Sequence, residues 1–232
     1  MPASAHSSRP RDRSEATEAV EDYAKAIYAL ERRGGPVSTN ALAERLGVTA
    51  ASASGMVKKL DAQGYVSHVP YKGVELTAAG RRIALHVLRH HRLLELYLTE
   101  DLGVPWDRVH DEAEVLEHVL SEELGELIAA KLGDPTHDPH GDPIPTRDGR
   151  VEESATQSMH DLETGATGTF TRVSDSDPEM LRYLSQRGIA PGAAFVVVDR
   201  QPFDGPVFVE IGGDVHVLGG LLAAAMRVEV DA

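Results

Sequence analysis

Between Val109 and Ser121 one stretch of sequence carries two stripes at once. Val115, Leu116, Val119 and Leu120 recur with the 3.6-residue period of a helix. His110, Glu114, Glu117 and His118 follow at i, i+4, i+7 and i+8, and so fall within an arc of roughly 100°. A chain with this stretch must cover one side of the helix with apolar neighbours while two imidazoles and two carboxylates converge on another. Neutral His and ionised Glu are ligands for first-row divalent ions. A solvated acidic helix face would also explain the carboxylates, but it gives no reason for both histidines to fall in register with them. The stretch points to a cation site.

The charge distribution adds a second constraint. The net charge is −14, which by itself argues against nucleic acid. Residues 1–89, however, carry 13 Lys and Arg against 9 Asp and Glu, while the other 143 residues carry 10 against 28. The amino-terminal third can therefore face an anion and the remainder can hold cations. There is no cysteine, which removes disulfides, thiolate ligands and a Cys nucleophile, and fits a reducing cytoplasm. The first 17 residues are polar and lack an apolar core, so they read as a flexible tail, not a signal peptide. The longest small-apolar run, Leu218 to Met226, is too short to span a bilayer, and no membrane partner is expected.

Taken in order, a first helix is predicted from about Glu15 to Arg33, burying Val20, Tyr23, Ile27 and Leu30. Ser38-Thr39-Asn40 caps a short helix over 41–46, and Thr49 caps another over 50–63. Ala53, Met56, Val57 and Leu60 face inward on the latter, leaving Ala51, Ser52, Ser54, Gly55, Lys58 and Lys59 outward. Two short helices around Gly47-Val48 make a helix-turn-helix pattern, whose second helix enters the DNA major groove. Short strands over 65–69 and 74–76, with Lys72 at the turn between them, complete a winged helix. Thr49, Ser52, Ser54, Lys58, Lys59 and Lys72 are the candidate DNA-facing residues, with Arg81 and Arg82 as further phosphate contacts.

Thr77 caps a long helix to about Thr99, with His91 and Glu95 at i, i+4 on one face. The His/Glu stretch is expected as the next helix, running to about Leu132. These helices have more apolar surface than one chain can cover, which a two-fold homodimer on a palindromic operator would explain. The Pro, Gly, Asp and His run after Gly133 reads as a linker, in which His137 and His140 are poor ligands. Beyond it, β-branched runs over 170–173, 195–198, 207–211 and 215–218, with a short helix over 178–187, suggest a small SH3-like barrel. The fold class is mainly α with a β module. Its parts are a tail (1–17), a winged helix-turn-helix domain (18–85), a helical dimerisation domain (86–132), a linker (133–156) and an SH3-like module (157–232).

Several blocks together resemble the diphtheria-toxin-repressor family of metal-dependent transcriptional regulators. They are Asp22-Tyr23 with Ile27-Tyr28-Ala29-Leu30, the winged helix, and Leu76-Thr77 with Gly80. His91-Arg92-Leu93-Leu94-Glu95 and Val109 to Ala113 follow, then Glu117 to Ser121, Pro139-His140-Gly141 and Pro143-Ile144-Pro145. The resemblance implies a carboxy-terminal FeoA-like domain and two metal sites. The activating site falls on Asp22, Glu114, Glu117 and His118. The second falls on His91, Glu95 and His110, with ligands added from the carboxy-terminal domain. Two of those, in the iron-responsive branch, fall near Ser176 and Glu179. Ser176 is a poor ligand, so Asp175 or Asp177 is expected to substitute beside Glu179. The iron branch has Met and Cys at the positions of Asp22 and Glu114; carboxylates there, as in the manganese branch, imply Mn²⁺, with Fe²⁺ as the alternative. Lys25 stands where two-domain manganese regulators have a further Glu, which puts their binuclear site in doubt. The expected function is a metal-dependent repressor of metal-homeostasis genes, not an enzyme. The rivals are a metallohydrolase using the His/Glu cluster, which lacks a legible general base, and a metal-independent winged-helix regulator.

Overall fold

The computed structural model describes residues 17–32, 34, 37–69, 73–175, 177–203 and 205–231. The chain divides within one long helix into two compact units, residues 1–84 and 85–232.

In the first unit, α1 (Glu18–Glu31), α2 (Thr39–Arg45) and α3 (Ala50–Ala62) precede a hairpin of β1 (Val66–Val69) and β2 (Gly73–Leu76). Short polar side chains start α2 and α3 by satisfying backbone N–H groups that have no partner within the helix. Ser38 Oγ accepts from the Ala41 N–H at 3.1 Å, and Thr49 Oγ1 from the Ser52 N–H at 3.1 Å. Val20, Tyr23, Ile27, Leu42, Ala53, Val57 and Leu60 meet Val66 and Val74 in one core, with Leu30 and Met56 packed against it. Glu31 fastens the end of α1 to the hairpin: Oε1 accepts from the Leu76 N–H at 2.7 Å, and Oε2 pairs with Arg81 at 2.6 Å. The sequence expected Arg81 to be a phosphate contact; its guanidinium is instead engaged by Glu31. Lys72 and all of the expected tail but Thr17 lie outside the described residues.

The second unit takes most of α4 (Ala78–Glu100), then α5 (Val109–Leu116) and α6 (Glu122–Lys131). One continuous helix to Leu132 was expected here. The chain turns after Leu116 because Ser121 caps a new helix, its Oγ accepting from the Leu124 N–H at 3.2 Å.

The presumed linker is an ordered part of this unit. Asp138 Oδ1 accepts from the His140 and Asp142 N–H groups at 2.8 and 2.9 Å, bending the chain into a tight turn. Arg92 on α4 pairs with Asp138 and Asp142 and donates to the Pro143 carbonyl at 2.5 Å. His140 is fully buried, and its carbonyl accepts from the Val173 N–H at 3.0 Å. Gly141 is obligatory: φ is +83°, and a Cβ would lie 1.8 Å from the Thr171 carbonyl oxygen.

The last segments are β3 (Gln157–Ser158), β4 (Thr167–Val173), α7 (Pro178–Ser185), β5 (Ala194–Arg200), β6 (Val207–Ile211), β7 (Asp214–Leu218), α8 (Gly220–Ala225) and β8 (Met226–Val230). They form a six-stranded antiparallel sheet in the order β3-β8-β4-β5-β6-β7. Phe170, Leu181, Leu184, Ile189, Leu218 and Met226 fill its core. The sequence reading missed β3, α8 and β8.

Candidate metal centre

α4 positions His91 and Glu95 one turn apart on its buried side. α5 brings His110 against them. His110 Nδ1 lies 3.1 Å from His91 Nε2 and 3.3 Å from Glu95 Oε1, and His91 Nε2 lies 3.1 Å from the same Glu95 oxygen. From the loop after β4, Asp175 Oδ2 reaches within 3.3 Å of His110 Nδ1. His91, Glu95, His110 and Asp175 each offer a ligand atom within 4.8 Å of the others.

The carboxy-terminal contribution is therefore Asp175. Asp177 caps α7, its Oδ1 accepting from the Glu179 and Met180 N–H groups at 2.9 and 3.3 Å. Glu179 is exposed and faces Arg182. Neither joins the cluster, because the start of α7 claims the first and turns the second to solvent. Ser176 lies outside the described residues.

His91 also faces a second group. Its Nδ1 lies 2.5 Å from Glu117 Oε2, and Glu114 completes a set of three with these two. Glu117 is the C-cap of α5, its N–H bonded to the Ala113 carbonyl at 2.9 Å, so its side chain keeps the helical direction. His118 lies in the following turn, with Nε2 3.5 Å from Glu117 Oε1. Asp22 is half-buried on α1, in the amino-terminal unit.

Neighbouring carboxylates raise the affinity of the surrounding imidazoles for protons. Burial opposes the charging of His110, but the Asp175 and Glu95 carboxylates outweigh it and hold the ring at about 10. Asp175 responds in the opposite sense: burial would raise it, and His110 pulls it to about 2. Glu95 too is held well below the usual carboxylate range, burial being overcome by His91, His110 and His140.

His140, passed over as a loop histidine, sits behind Glu95. Its Nε2–H donates to the Trp106 carbonyl at 2.8 Å, leaving Nδ1 facing Glu95 Oε2 across 3.6 Å. Burial lowers its proton affinity, and Glu95 and Asp138 more than compensate, raising it to about 9. Both facing atoms are buried without a hydrogen-bond partner among the described residues. In front of Glu95, the oxygen and imidazole donors of His91, Glu95, His110 and Asp175 converge into a set that a divalent cation fits.

Comparison with known proteins gives the same picture. Residues 15–74 match the amino-terminal DNA-binding domain of iron-dependent repressors, residues 77–146 their metal-binding and dimerisation domain, and residues 157–230 the FeoA domain. The iron-dependent repressor IdeR of Mycobacterium tuberculosis (strain ATCC 25618 / H37Rv) is 30% identical over 231 residues, 93% of this chain and 99% of the relative. The chain belongs to the diphtheria-toxin-repressor family. It is a metal-dependent transcriptional regulator, and not an enzyme. The diphtheria toxin repressor of Corynebacterium diphtheriae is 30% identical over 232 residues, 90% of this chain and 96% of that one. A solved manganese-dependent transcriptional repressor in complex with manganese is 44% identical, with a TM-score of 0.84 over 91% of this chain and 100% of its own.

Two surfaces fit the matched domains. On α3, Ser52, Lys58 and Lys59 are exposed and Ser54 half-buried, with exposed Thr49 at the cap, its hydroxyl bonded to that of Ser52 at 2.9 Å. On the dimerisation domain, Val115 is 72% and Val119 67% exposed, with Leu124 and Leu127 also open on α6. Among the described residues no helix is long and apolar enough to cross a membrane.

Proposed function

We propose that this chain is a manganese-responsive repressor of metal-homeostasis genes, acting in the cytoplasm as a homodimer on a palindromic operator. Glu114, Glu117 and His118, joined by Asp22 as the family resemblance implies, form the activating site. His91, Glu95, His110 and Asp175 form the second. The observation that carries the reading is the donor chemistry of the Glu117 group. Glu117 is buried with His91 and Glu114 beside it, and the chain has no thiolate to offer. Hard oxygen donors suit Mn²⁺ better than soft ones do. The similarity to solved manganese-dependent repressors at 44% and 40% identity supports the same choice, while relatives named for iron make Fe²⁺ the ion to compare.

Bound at the activating site, a divalent cation supplies the charge that offsets its converging carboxylates. Asp22 belongs to the DNA-reading unit, and Glu114, Glu117 and His118 to the dimerisation domain. A regulator works this way only if the ligand favours the operator-competent state over the other.

The test is a gel shift on the promoter region of the protein's own gene after chelation, titrating Mn²⁺, anaerobic Fe²⁺ and Zn²⁺ separately. A shift that needs metal, is reached first with Mn²⁺ and is lost in Glu117→Ala is the expected result. A shift indifferent to the chelator would leave a DNA-binding protein whose His/Glu groups are structural.

A further inference from the structure

Apart from these ligand sets, α4 and α6 hold another group of donors. His86 and His90 are one helical turn apart on α4, so their rings lie side by side on one face, tilted by 56° with centroids 4.3 Å apart. Glu122, the first residue of α6, points between them: Oε2 lies 3.3 Å from His86 Nδ1 and 3.8 Å from His90 Nε2. The two ring nitrogens and this oxygen all lie within 4.8 Å of one another. The other oxygen, Oε1, faces Arg147 at 4.0 Å, so the carboxylate divides its two ends between different partners.

Packing fixes the inner half of this group. The His90 side chain is buried. Gly125 lets α6 come close beside it, since a Cβ there would stand 3.1 Å from His90 Nε2. The outer half is open: the His86 and Glu122 side chains are about half exposed, so an ion can reach the group from solvent.

We propose that His86, His90 and Glu122 form an additional cation site, one for an imidazole-seeking divalent ion of the Zn²⁺ class. Metal–ligand bonds of about 2.0–2.1 Å in a tetrahedron place neighbouring donor atoms about 3.3–3.4 Å apart. The His86–Glu122 edge already has that length, the His90–Glu122 edge is 3.8 Å, and the edge between the two ring nitrogens is under 4.8 Å, so rotamer adjustments of the half-exposed His86 and Glu122 side chains close the set. Two imidazoles with a single carboxylate favour ions late in the Irving–Williams order, unlike the carboxylate-rich activating set. Three protein ligands leave a fourth position for water. A plain His–Glu ion pair between half-exposed side chains would contribute little, and it would not require both rings to converge on one oxygen.

The full chain, stripped with chelator, is titrated with Zn²⁺, and bound equivalents are counted by equilibrium dialysis and elemental analysis. Two variants at the exposed members, His86→Ala and Glu122→Gln, leave the core undisturbed, whereas His90 is avoided because it is buried beside His91. Wild type is expected to bind one more equivalent of Zn²⁺ than either variant, or to bind it at least about tenfold more tightly. Substituted Co²⁺ should give a four-coordinate visible band that both variants lose. Mn²⁺ uptake, operator binding in Mn²⁺ and far-UV circular dichroism are expected to match wild type in both. Equal Zn²⁺ uptake in all three proteins would overturn the site, and so would a loss confined to one variant.

Discussion

His91 stands between two ends of one array, and the ends differ in how their charge is met. At the Glu95 end every partner lies within the carboxy-terminal unit. Asp175 and Glu95 raise the proton affinity of His110, and His140 closes the back of Glu95. At the Glu117 end, Glu117 is buried against His91, yet Glu114 is 41% exposed at its side chain. The first end is closed around Glu95, which is fully buried with His91 and His140, while His110 and Asp175 stay about one-third exposed, and its imidazoles are pulled toward the protonated form. The second opens to solvent at Glu114, with Glu117 buried and His118 nearly so, and its carboxylates converge from the end of α5. A closed end suits a site that holds a unit together; an open end suits one that responds to the concentration of an ion. His91 couples them, because its two ring nitrogens face opposite ends.

The largest effect that could break this contrast is expected at the open end. Glu117→Ala should weaken metal-dependent operator binding by at least about a hundredfold, with the dimer still formed in sedimentation, since it removes a ligand of the proposed activating site. Asp22→Ala should do the same with less damage to stability, because Asp22 is only half-buried. Wild-type metal sensitivity in either variant would end the proposed division of roles. At the closed end, Asp175→Asn should lower metal affinity by about tenfold and reduce operator binding less. Without metal, nuclear magnetic resonance should then show His110 titrating well below about 10, because Asp175 is the first of the groups that raise it.

The pH dependence sharpens the contrast. His110 is raised above its ordinary value, so its pairing stabilises the folded unit fully below about pH 6.5 and is lost as pH rises through about 10. Asp175 is depressed, so its share is present above about pH 4 and is lost as pH falls through about 2. An ion entering the closed end must displace the His110 proton. Its apparent affinity there should rise up to about tenfold per pH unit between pH 6 and 8. Calorimetry in buffers of different ionisation enthalpy reads that proton release. A pH-independent affinity would show that the closed end is not proton-compensated.

How much of this was legible depends on the range of the interaction. Ser38, Thr49 and Thr77 mark helix starts through bonds to residues three positions on, so the winged helix could be read locally. The same signal lay at Ser121, ahead of Glu122 and Glu123, but the apolar period running through Val119 and Leu120 hid it. β8 was obscured by the Ala-rich run before it, and its pairing with β4 joins positions about 60 residues apart. His140 could not be recognised from composition, because a Pro- and Gly-rich stretch looks mobile unless Arg92 is known to lie opposite. Only the direction of the chain after β4 separates Asp175 from Asp177 as the residue facing His110.

The turn that presents His140 can be tested by a backbone change alone. Gly141→Ala forces a side chain into φ +83° and against the Thr171 carbonyl. The left-handed conformation by itself costs about 1–3 kcal/mol, so thermal unfolding of the carboxy-terminal unit should fall by several degrees. If the closed end depends on this turn, metal uptake there should weaken in step, while the Glu117 end should be affected less. Unchanged unfolding would mean that the 138–145 segment contributes no support to α4.

The smallest effects are expected just outside the array. Asp177→Ala should cost about 1 kcal/mol through loss of the α7 cap, with His110 still titrating near 10. Glu179→Ala should change neither stability nor metal affinity, since its side chain is 89% exposed. This pair is informative because the resemblance assigns a ligand to the position of Glu179, whereas the geometry gives that place to Asp175. A tenfold loss of metal affinity in Glu179→Ala would mean that the loop before α7 rearranges when the ion binds. The closed end would then be closed only in the conformation described here, and the contrast with the Glu117 end would be one of degree.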